Sequence, residues 1–255
     1  MLYLFKKNEH GFTIVELAIS LAITLILLGV TIRVFTIQRN AYTLQEHTTD
    51  LHQNIRIGMD VLSREIRMAG YMVSGTSTIQ VSGTSTITFL GDIDSDIATV
   101  LALDAGAGTT TVFVELTPDS NYNIGNTDYI YISDGLHTDL IPVNSSAPHL
   151  VGEPDPIYLK TGLLYSYTAG NAIVRTVERV TFSHDTTNLR INRNNQPLAE
   201  NIEILRFTYG TNTQTGATNT VTISITGRTA QKYSNYPGDG YCRGTLTSTI
   251  KLRNQ

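Results

Sequence analysis

The sequence lacks most of the residue patterns that build catalytic, metal or nucleotide sites. Its 255 residues include no tryptophan and one cysteine, Cys242, which cannot form an internal disulfide bond. There is no G-x-S-x-G elbow, no H-E-x-x-H motif, no pair of C-x-x-C motifs, and no lysine preceded by glycine as in a phosphate-binding loop. The sequence therefore predicts a protein that is not an enzyme and that needs no cofactor.

The chain carries few charges and no basic cluster. Charged side chains make up 16% of the residues, with 18 Lys and Arg against 22 Asp and Glu and a formal net charge of -4. Non-specific binding to nucleic acid requires several Lys and Arg side chains that neutralise phosphates. Since the sequence has no basic run, we predict no nucleic-acid partner.

The first 117 residues contain no proline, so no proline interrupts a helix there. From Phe12 to Ile32 lie 21 residues whose only charged side chain is Glu16. As an α-helix this segment is about 31 Å long, which matches the hydrocarbon core of a bilayer at roughly 30 Å. We therefore predict a single membrane-spanning helix with its N-terminus in the cytoplasm, because Lys6 and Lys7 precede it.

An amphipathic pattern extends the predicted helix beyond the apolar segment. Between residues 38 and 69, apolar residues recur at intervals of seven and four, a spacing that places them on one helical face. They are Leu44, Leu51, Ile55, Leu62 and Ile66. Gly70 is a candidate C-cap, and Gly29 and Gly58 are candidate points of bending. We therefore predict one helix from about Phe12 to about Ala69.

After Gly70 the pattern changes to short alternating runs that are typical of half-buried strands. Val221, Ile223 and Ile225, for example, alternate with threonine and serine. The fold class predicted is α+β, with one long N-terminal helix packed on a C-terminal antiparallel β-rich globular domain. We predict a proline-rich surface loop at 142–156 and strands at 86–90, 110–116, 129–133, 157–167, 173–182, 205–209, 220–226 and 246–252.

The N-terminal junction is the most specific pattern in the sequence. Residues 1–11 (MLYLFKKNEHG) have no small-residue A-x-A cleavage site, so they are not an ordinary secretory signal. The carboxylate of Glu16 within the apolar segment costs on the order of 2 to 3 kcal/mol and therefore needs a partner. The run K-K-N-E-H-G-F-T-I-V-E-L resembles the type IV prepilin leader junction, with glycine last in the leader, phenylalanine first in the mature chain and glutamate fifth.

That resemblance implies a series of processing and assembly steps. The prepilin peptidase would cut between Gly11 and Phe12, Phe12 would be N-methylated, and Glu16 would pair with the terminal amine of a neighbouring subunit. The chain would first sit in the inner membrane, in contact with lipid and with its body in the periplasm, and later in a pilus at the cell surface. The implied segments are a leader peptide at 1–11, a transmembrane and filament-core helix at 12–36, an amphipathic helix at 37–70 and a globular domain at 71–255.

The end of the predicted helix is similar to one family of pilins. Residues 44–71 (LQEHTTDLHQNIRIGMDVLSREIRMAGY) resemble the PilW family of minor pilins, and 199–210, 225–229 and 250–254 resemble the segments that end such proteins. This resemblance implies a low-abundance structural subunit that primes pilus assembly at or near the tip. Its implied partners are other minor and major pilins and an inner-membrane assembly platform with a separate cytoplasmic ATPase.

Two other functions stay open at this point. J-type pseudopilins of type II secretion share the leader junction, the long helix, the β-rich body and a similar end of the helix. A membrane-anchored enzyme or binding protein is a less favoured alternative, since the sequence has no catalytic pattern. Many major pilins have a proline partway along the helix, and its absence here means that helix unwinding cannot be inferred from the resemblance.

One acidic cluster is a candidate metal site. Asp92, Asp94 and Asp96 in GDIDSDI stand at alternate positions, like the first half of a calcium-binding loop. The glycine expected at the sixth loop position is Ile97, however, and the glutamate expected at the twelfth is Leu103. The pattern therefore allows calcium but favours solvated turn residues.

Overall fold

A computed structural model describes residues 11, 13–71, 73, 79–93, 98–115, 129–146, 153–211, 218–233 and 236–252. In this part of the chain one helix, α1 (Ile14–Arg67), is followed by thirteen strands. The chain divides into two compact units, Met1–Thr49 and Asp50–Gln255. The predicted fold class, a long N-terminal helix followed by an antiparallel β-rich domain, is confirmed.

Helix α1 is continuous over 54 residues. Its many threonines could compete with the backbone for hydrogen bonds, but their hydroxyls donate to carbonyls four residues earlier. These hydroxyls belong to Thr24, Thr31, Thr36, Thr43, Thr48 and Thr49. The helix gives way to a turn at residues 68–71, where Gly70 has a left-handed φ of 75°, as a C-cap glycine does.

The first half of α1 is apolar on all sides. In the unit Met1–Thr49, the aliphatic and aromatic side chains of residues 14–37 are exposed around the whole helix. A helix that is hydrophobic all round is stable only in apolar surroundings. Within the described residues, α1 is the one helix long and apolar enough to cross a membrane, which is consistent with membrane anchoring.

The strands form two antiparallel sheets. The larger sheet has the order β1-β2-β8-β5-β6-β7-β4, with β3 and β9 also paired to β8 and β10 paired to β9, and the smaller sheet has the order β11-β12-β13. The strands are β1 (Ile79–Ser82), β2 (Thr86–Gly91), β3 (Ala98–Val100), β4 (Thr111–Val114), β5 (Tyr129–Ser133), β6 (Thr138–Ser146), β7 (Asp155–Leu159), β8 (Ile173–Asp185), β9 (Arg190–Arg193), β10 (Gln196–Glu200), β11 (Ile202–Thr211), β12 (Thr218–Arg228) and β13 (Arg243–Lys251).

The prediction of a loop at 142–156 is wrong for most of the residues of this segment that the structure describes. Strand β6 extends to Ser146, and β7 begins at Asp155. Pro142 is tolerated because it is the last residue of β6 to pair with β5, before β6 begins to pair with β7. Its missing N–H therefore interrupts the ladder only where β6 changes partner.

One predicted strand, 157–167, is too long. Strand β7 ends at Leu159, and turns follow. These turns are held by Asp139, a buried residue of β6, whose Oδ2 accepts hydrogen bonds from the backbone N–H groups of Leu164 at 3.0 Å and Tyr165 at 3.2 Å. A side chain distant in sequence thus decides the local conformation, and alternation alone could not predict it.

In the unit Asp50–Gln255, one face of α1 is buried against the smaller sheet and the adjoining part of the larger one. The helix residues in this core are Leu51, Ile55, Met59, Leu62 and Ile66. Four of these five belong to the apolar face that the sequence spacing predicts. The second half of α1 is therefore amphipathic, in contrast to its apolar first half.

Two glycines let the helix backbone approach the strands. A Cβ atom at Gly227 of β12 would lie 2.7 Å from Leu51 Cδ1 and 3.1 Å from the carbonyl oxygen of Asn201. A Cβ atom at Gly58 of α1 would lie 3.3 Å from the Cβ of Ala199 in β10. Gly58, a predicted point of bending, is instead a close-contact position in an unbroken helix.

A buried ion pair fastens the end of the helix to the larger sheet. Glu65 is 5% exposed, and Nε of Arg193 in β9 lies 2.8 Å from its Oε2 and 3.0 Å from its Oε1. Glu178 of β8 lies 3.7 Å from Nη2 of the same arginine. Loss of Arg193 would leave the buried carboxylate of Glu65 without its cation, so the pair fixes how the helix end is seated.

Replacement of Gly227 by alanine is expected to destabilise the body by about 1 to 3 kcal/mol, because the added methyl group overlaps Leu51 and the backbone of Asn201. The measurement is the melting temperature of the full-length protein in detergent. Gly106→Ala is the matched control, since among the described residues its Cβ would meet only Thr109 Oγ1 at 3.8 Å. Equal melting temperatures for the two variants would contradict the close approach of helix and sheet.

Candidate functional site

The predicted cleavage position lies just ahead of the helix. Gly11 is exposed, and no atom of the described residues lies within 4 Å of the place its Cβ would occupy. Phe12 lies outside the described residues. Since α1 begins at Ile14, the bond between residues 11 and 12 precedes the first helical turn. A protease that cuts this bond does not have to unwind the helix.

Thr13 and Glu16 cap the start of α1 reciprocally. Thr13 Oγ1 accepts a hydrogen bond from the Glu16 backbone N–H at 3.2 Å. Glu16 Oε2 accepts in return from the backbone N–H and the hydroxyl of Thr13, both at 2.9 Å. This is a capping box, in which two backbone donors that lack helical partners are both satisfied. In the sequence this capping box is the pattern T-x-x-E before an apolar run. It was not predicted from the sequence, because the same residues were interpreted through the prepilin resemblance.

The cap leaves Glu16 with one oxygen for a second partner. Oε2 takes both bonds from Thr13, whereas Oε1 makes no hydrogen bond to the described residues. A cation from another molecule, such as the terminal amine of a neighbouring subunit, can therefore bind Oε1 without displacing Thr13. The N-terminal end of a helix also favours a negative charge. The pairing of Glu16 with a neighbouring amine stays a prediction.

The acidic cluster is only partly described, because Asp94 and Asp96 lie outside the described residues. Asp92 is 3% exposed, with Oδ2 3.8 Å from Nη1 of Arg175 and with Oδ1 lacking a hydrogen-bond partner in the described part. The described residues contain no group of three or more His, Cys, Asp or Glu side chains that could hold a metal ion. Calcium binding stays a prediction, and Arg175 already supplies a cation to Asp92.

Carboxylates with lowered pKa values occupy separate turns. Backbone N–H groups, first that of His137, lower the pKa of Asp134. The side-chain amide of Asn188, followed by its backbone N–H, lowers the pKa of Asp185 to about 2. Hydrogen bonds to the ionised form explain both shifts. Each carboxylate therefore stabilises its own turn, and neither shift indicates a catalytic group.

In a comparison with protein families, residues 6–32 match the prokaryotic N-terminal methylation motif. No curated protein and no solved structure matches the chain. The matched segment contains Gly11, the Thr13–Glu16 cap and the first turns of α1. The motif supports a type IV pilin-like or pseudopilin protein that the prepilin peptidase processes.

Replacement of Thr13 by valine is expected to raise the amide exchange rate of Glu16 several-fold, because valine keeps the shape of threonine but removes the hydroxyl acceptor. The measurement is hydrogen exchange by NMR of the full-length protein in detergent micelles. Thr24→Val is the matched control, because the Thr24 hydroxyl donates to the Ser20 carbonyl within the helix and caps no amide. If the amide of Glu16 exchanged at the same rate in the wild type and in both variants, the cap would be ruled out.

Proposed function

We propose that the chain is a minor pilin of the PilW type, a structural subunit that is processed by prepilin peptidase and helps to prime a type IV pilus at or near its tip. The observation that carries this proposal is the continuity of α1. The methylation motif at 6–32 contains the first turns of α1, and the same helix buries one face, from Leu51 to Ile66, in the β-rich body. A filament subunit needs both parts, an apolar helix for the filament core and a folded body.

The PilW assignment draws on where the resembling segments lie in the fold. In their described parts, 199–210 runs from the end of β10 through β11, and 225–229 and 250–254 fall on or beside β12 and β13. The buried face of α1 packs against these strands. The resemblance is therefore concentrated in the helix end and the smaller sheet, with the end of β10, whereas residues 72–198 resemble the family only in being β-rich.

The exposed apolar half of α1 requires two successive partners. Before assembly, a lipid bilayer covers the side chains of residues 14–37. After assembly, the helices of other minor and major pilins take the place of the lipid. In that step Glu16 binds the N-methylated amine of a neighbouring subunit, so that each desolvated charge has a partner. The anchor is thus a temporary state of an assembly helix.

Other proteins would supply the energy for assembly. The sequence has no phosphate-binding loop, so an inner-membrane platform with a cytoplasmic ATPase would drive extension of the filament. A membrane-anchored enzyme is less well supported, because local turns account for the lowered pKa values of Asp134 and Asp185.

Replacement of Gly11 by leucine is expected to leave full-length prepilin, because a side chain there obstructs the peptidase. Intact-mass spectrometry of the membrane fraction shows whether the leader is still attached. Gly29→Leu is the matched control, since among the described residues neither glycine has an atom within 4 Å of its would-be Cβ and neither substitution disturbs packing within the chain. Wild-type protein that retains Met1, or complete processing of Gly11→Leu, would refute the proposal.

Deletion of the gene separates the pilin proposal from its alternative, a J-type pseudopilin of type II secretion. We expect loss of surface pili, seen by electron microscopy of sheared fractions, with secretion of exoproteins unchanged. A subunit that primes a pilus is needed for the filament but not for secretion. Retained pili with lost secretion would instead support the pseudopilin.

A further inference from the structure

Strand β13 is a long strand at the edge of the smaller sheet. It has nine residues and pairs with β12 from Thr220↔Lys251 to Arg228↔Arg243 without a shift of register. Among the described residues, no strand pairs with its other side. A sheet edge with unpaired backbone groups is a template for another strand.

The register identifies the unpaired backbone groups of β13. The Leu252 N–H donates to the Asn219 carbonyl at 2.9 Å, and the Thr229 N–H donates to the Cys242 carbonyl at 2.9 Å. Bonding residues alternate in an antiparallel pair, so the even-numbered residues of β13 bond to β12. The odd-numbered residues direct their N–H and C=O groups away from the sheet. They are Arg243, Thr245, Thr247, Thr249 and Lys251.

At the opposite edge of the same sheet, β11 already makes hydrogen bonds to another part of the chain. The Phe207 N–H donates to the Thr84 carbonyl at 2.8 Å, and the Tyr209 hydroxyl donates to the Gly83 carbonyl at 3.0 Å. Strand β11 also has two shifts of register. Proteins protect edges with bulges, prolines and charges. Strand β13 has no bulge and no proline, and it has charged residues only at its two ends.

A strand added at β13 would cover apolar surface that the fold leaves exposed. Leu246 pairs with Ile225 on the core side of the sheet, yet Leu246 is 38% exposed whereas Ile225 is fully buried. Since β13 is the edge strand, a fourth strand would place its own side chain beside Leu246. The added strand should therefore carry an apolar residue at that position.

A groove at the end of β13 indicates the charge of the partner. This open groove of about 420 Å³ is lined by Arg67, Thr249, Ile250, Lys251 and Leu252. Arg67 and Lys251 are exposed and have no ion-pair partner in the described part of the chain. Two such cations favour a carboxylate. Strand β13 contains no Asp or Glu, so the β13 strand of a second copy could not supply one.

We propose that β13 receives an extended segment of a different filament subunit as the fourth strand of the smaller sheet. The segment alternates apolar and polar residues, with an apolar side chain beside Leu246 and a carboxylate facing Arg67 and Lys251. Its backbone bonds to β13 supply affinity, and its side chains supply specificity. This inference rests on the proposed function, since it takes the partner to be a neighbouring pilin.

Thr247→Pro tests the proposal in the full-length protein, expressed in the native host. The proline removes an N–H that points away from β12, so the sheet keeps its ladder, and prolines are tolerated on edge strands. Thr247→Ala is the matched control, because it removes the hydroxyl that donates to Ser224 Oγ at 3.3 Å but retains the N–H. Ser248→Pro removes an N–H of the ladder with β12 and is expected to melt at a lower temperature.

The main measurement is the recovery of each variant in sheared filaments. Mass spectrometry reports leader cleavage, and the melting temperature of detergent-extracted protein reports folding. We expect Thr247→Pro to be cleaved and to melt like the wild type but to be lost from filaments, while Thr247→Ala is recovered at the wild-type level. Recovery of folded Thr247→Pro at the wild-type level would overturn the proposal.

A second pair of variants serves if Thr247→Pro does not fold. Arg67→Glu is expected to reduce recovery in filaments, because the groove then repels a carboxylate. Arg179→Glu reverses an exposed charge on the larger sheet and is expected to leave recovery unchanged. Equal recovery of these two variants would overturn the proposal as well.

Absence of the wild type itself from filaments would mean that the proposed function fails. Strand addition is then tested by hydrogen exchange of the full-length wild type. The outward amides of Thr245, Thr247 and Thr249 are expected to exchange more slowly in the membrane fraction than in detergent-extracted monomer. The same rates in both preparations would overturn strand addition.

Discussion

The body of this protein depends on how closely one helix can approach the strands that cover it. At Gly227 and Gly58 each element offers the other a position without a side chain, so the helix backbone and the strands come close together. The apolar face of the helix is thereby buried beneath the strands of the smaller sheet and the adjoining part of the larger one. The larger sheet is fastened to the helix end by the buried pair of Glu65 and Arg193.

The sequence was more informative for the helix than for the sheets. Absence of proline and the spacing of apolar residues predicted α1 to within two residues at each end. Alternation predicted β12, because that strand lies between two others and buries one face. It did not predict β9 and β10, which are short, rich in polar residues, and joined at Asn194 and Asn195, both with left-handed φ. Their place in the sheet follows from tertiary contacts that no local pattern contains.

The residues of the N-terminal site could be predicted from the sequence, but the hydrogen bonds between them could not. Gly11 and Glu16 follow from the resemblance of the junction, whereas the bond between Thr13 and Glu16 depends on where the helix begins. An apolar run alone does not determine the residue at which the helix begins. The contact of Asp92 with Arg175 was beyond sequence reasoning for another reason, because it is set by the register in which strand β8 pairs with its neighbours.

The absence of a proline also affects how the helix responds to tension. Tension along a filament loads its helices along their axes, and a proline opens early because it removes a backbone hydrogen bond. Helix α1 contains no proline, so its turns from Ile14 to Arg67 share the load. We expect it to resist stretching along its axis more than helices with a proline partway along. Under strong tension it should yield first near Gly29, because glycine is a poor helix former and, among the described residues, no atom lies within 4 Å of its would-be Cβ.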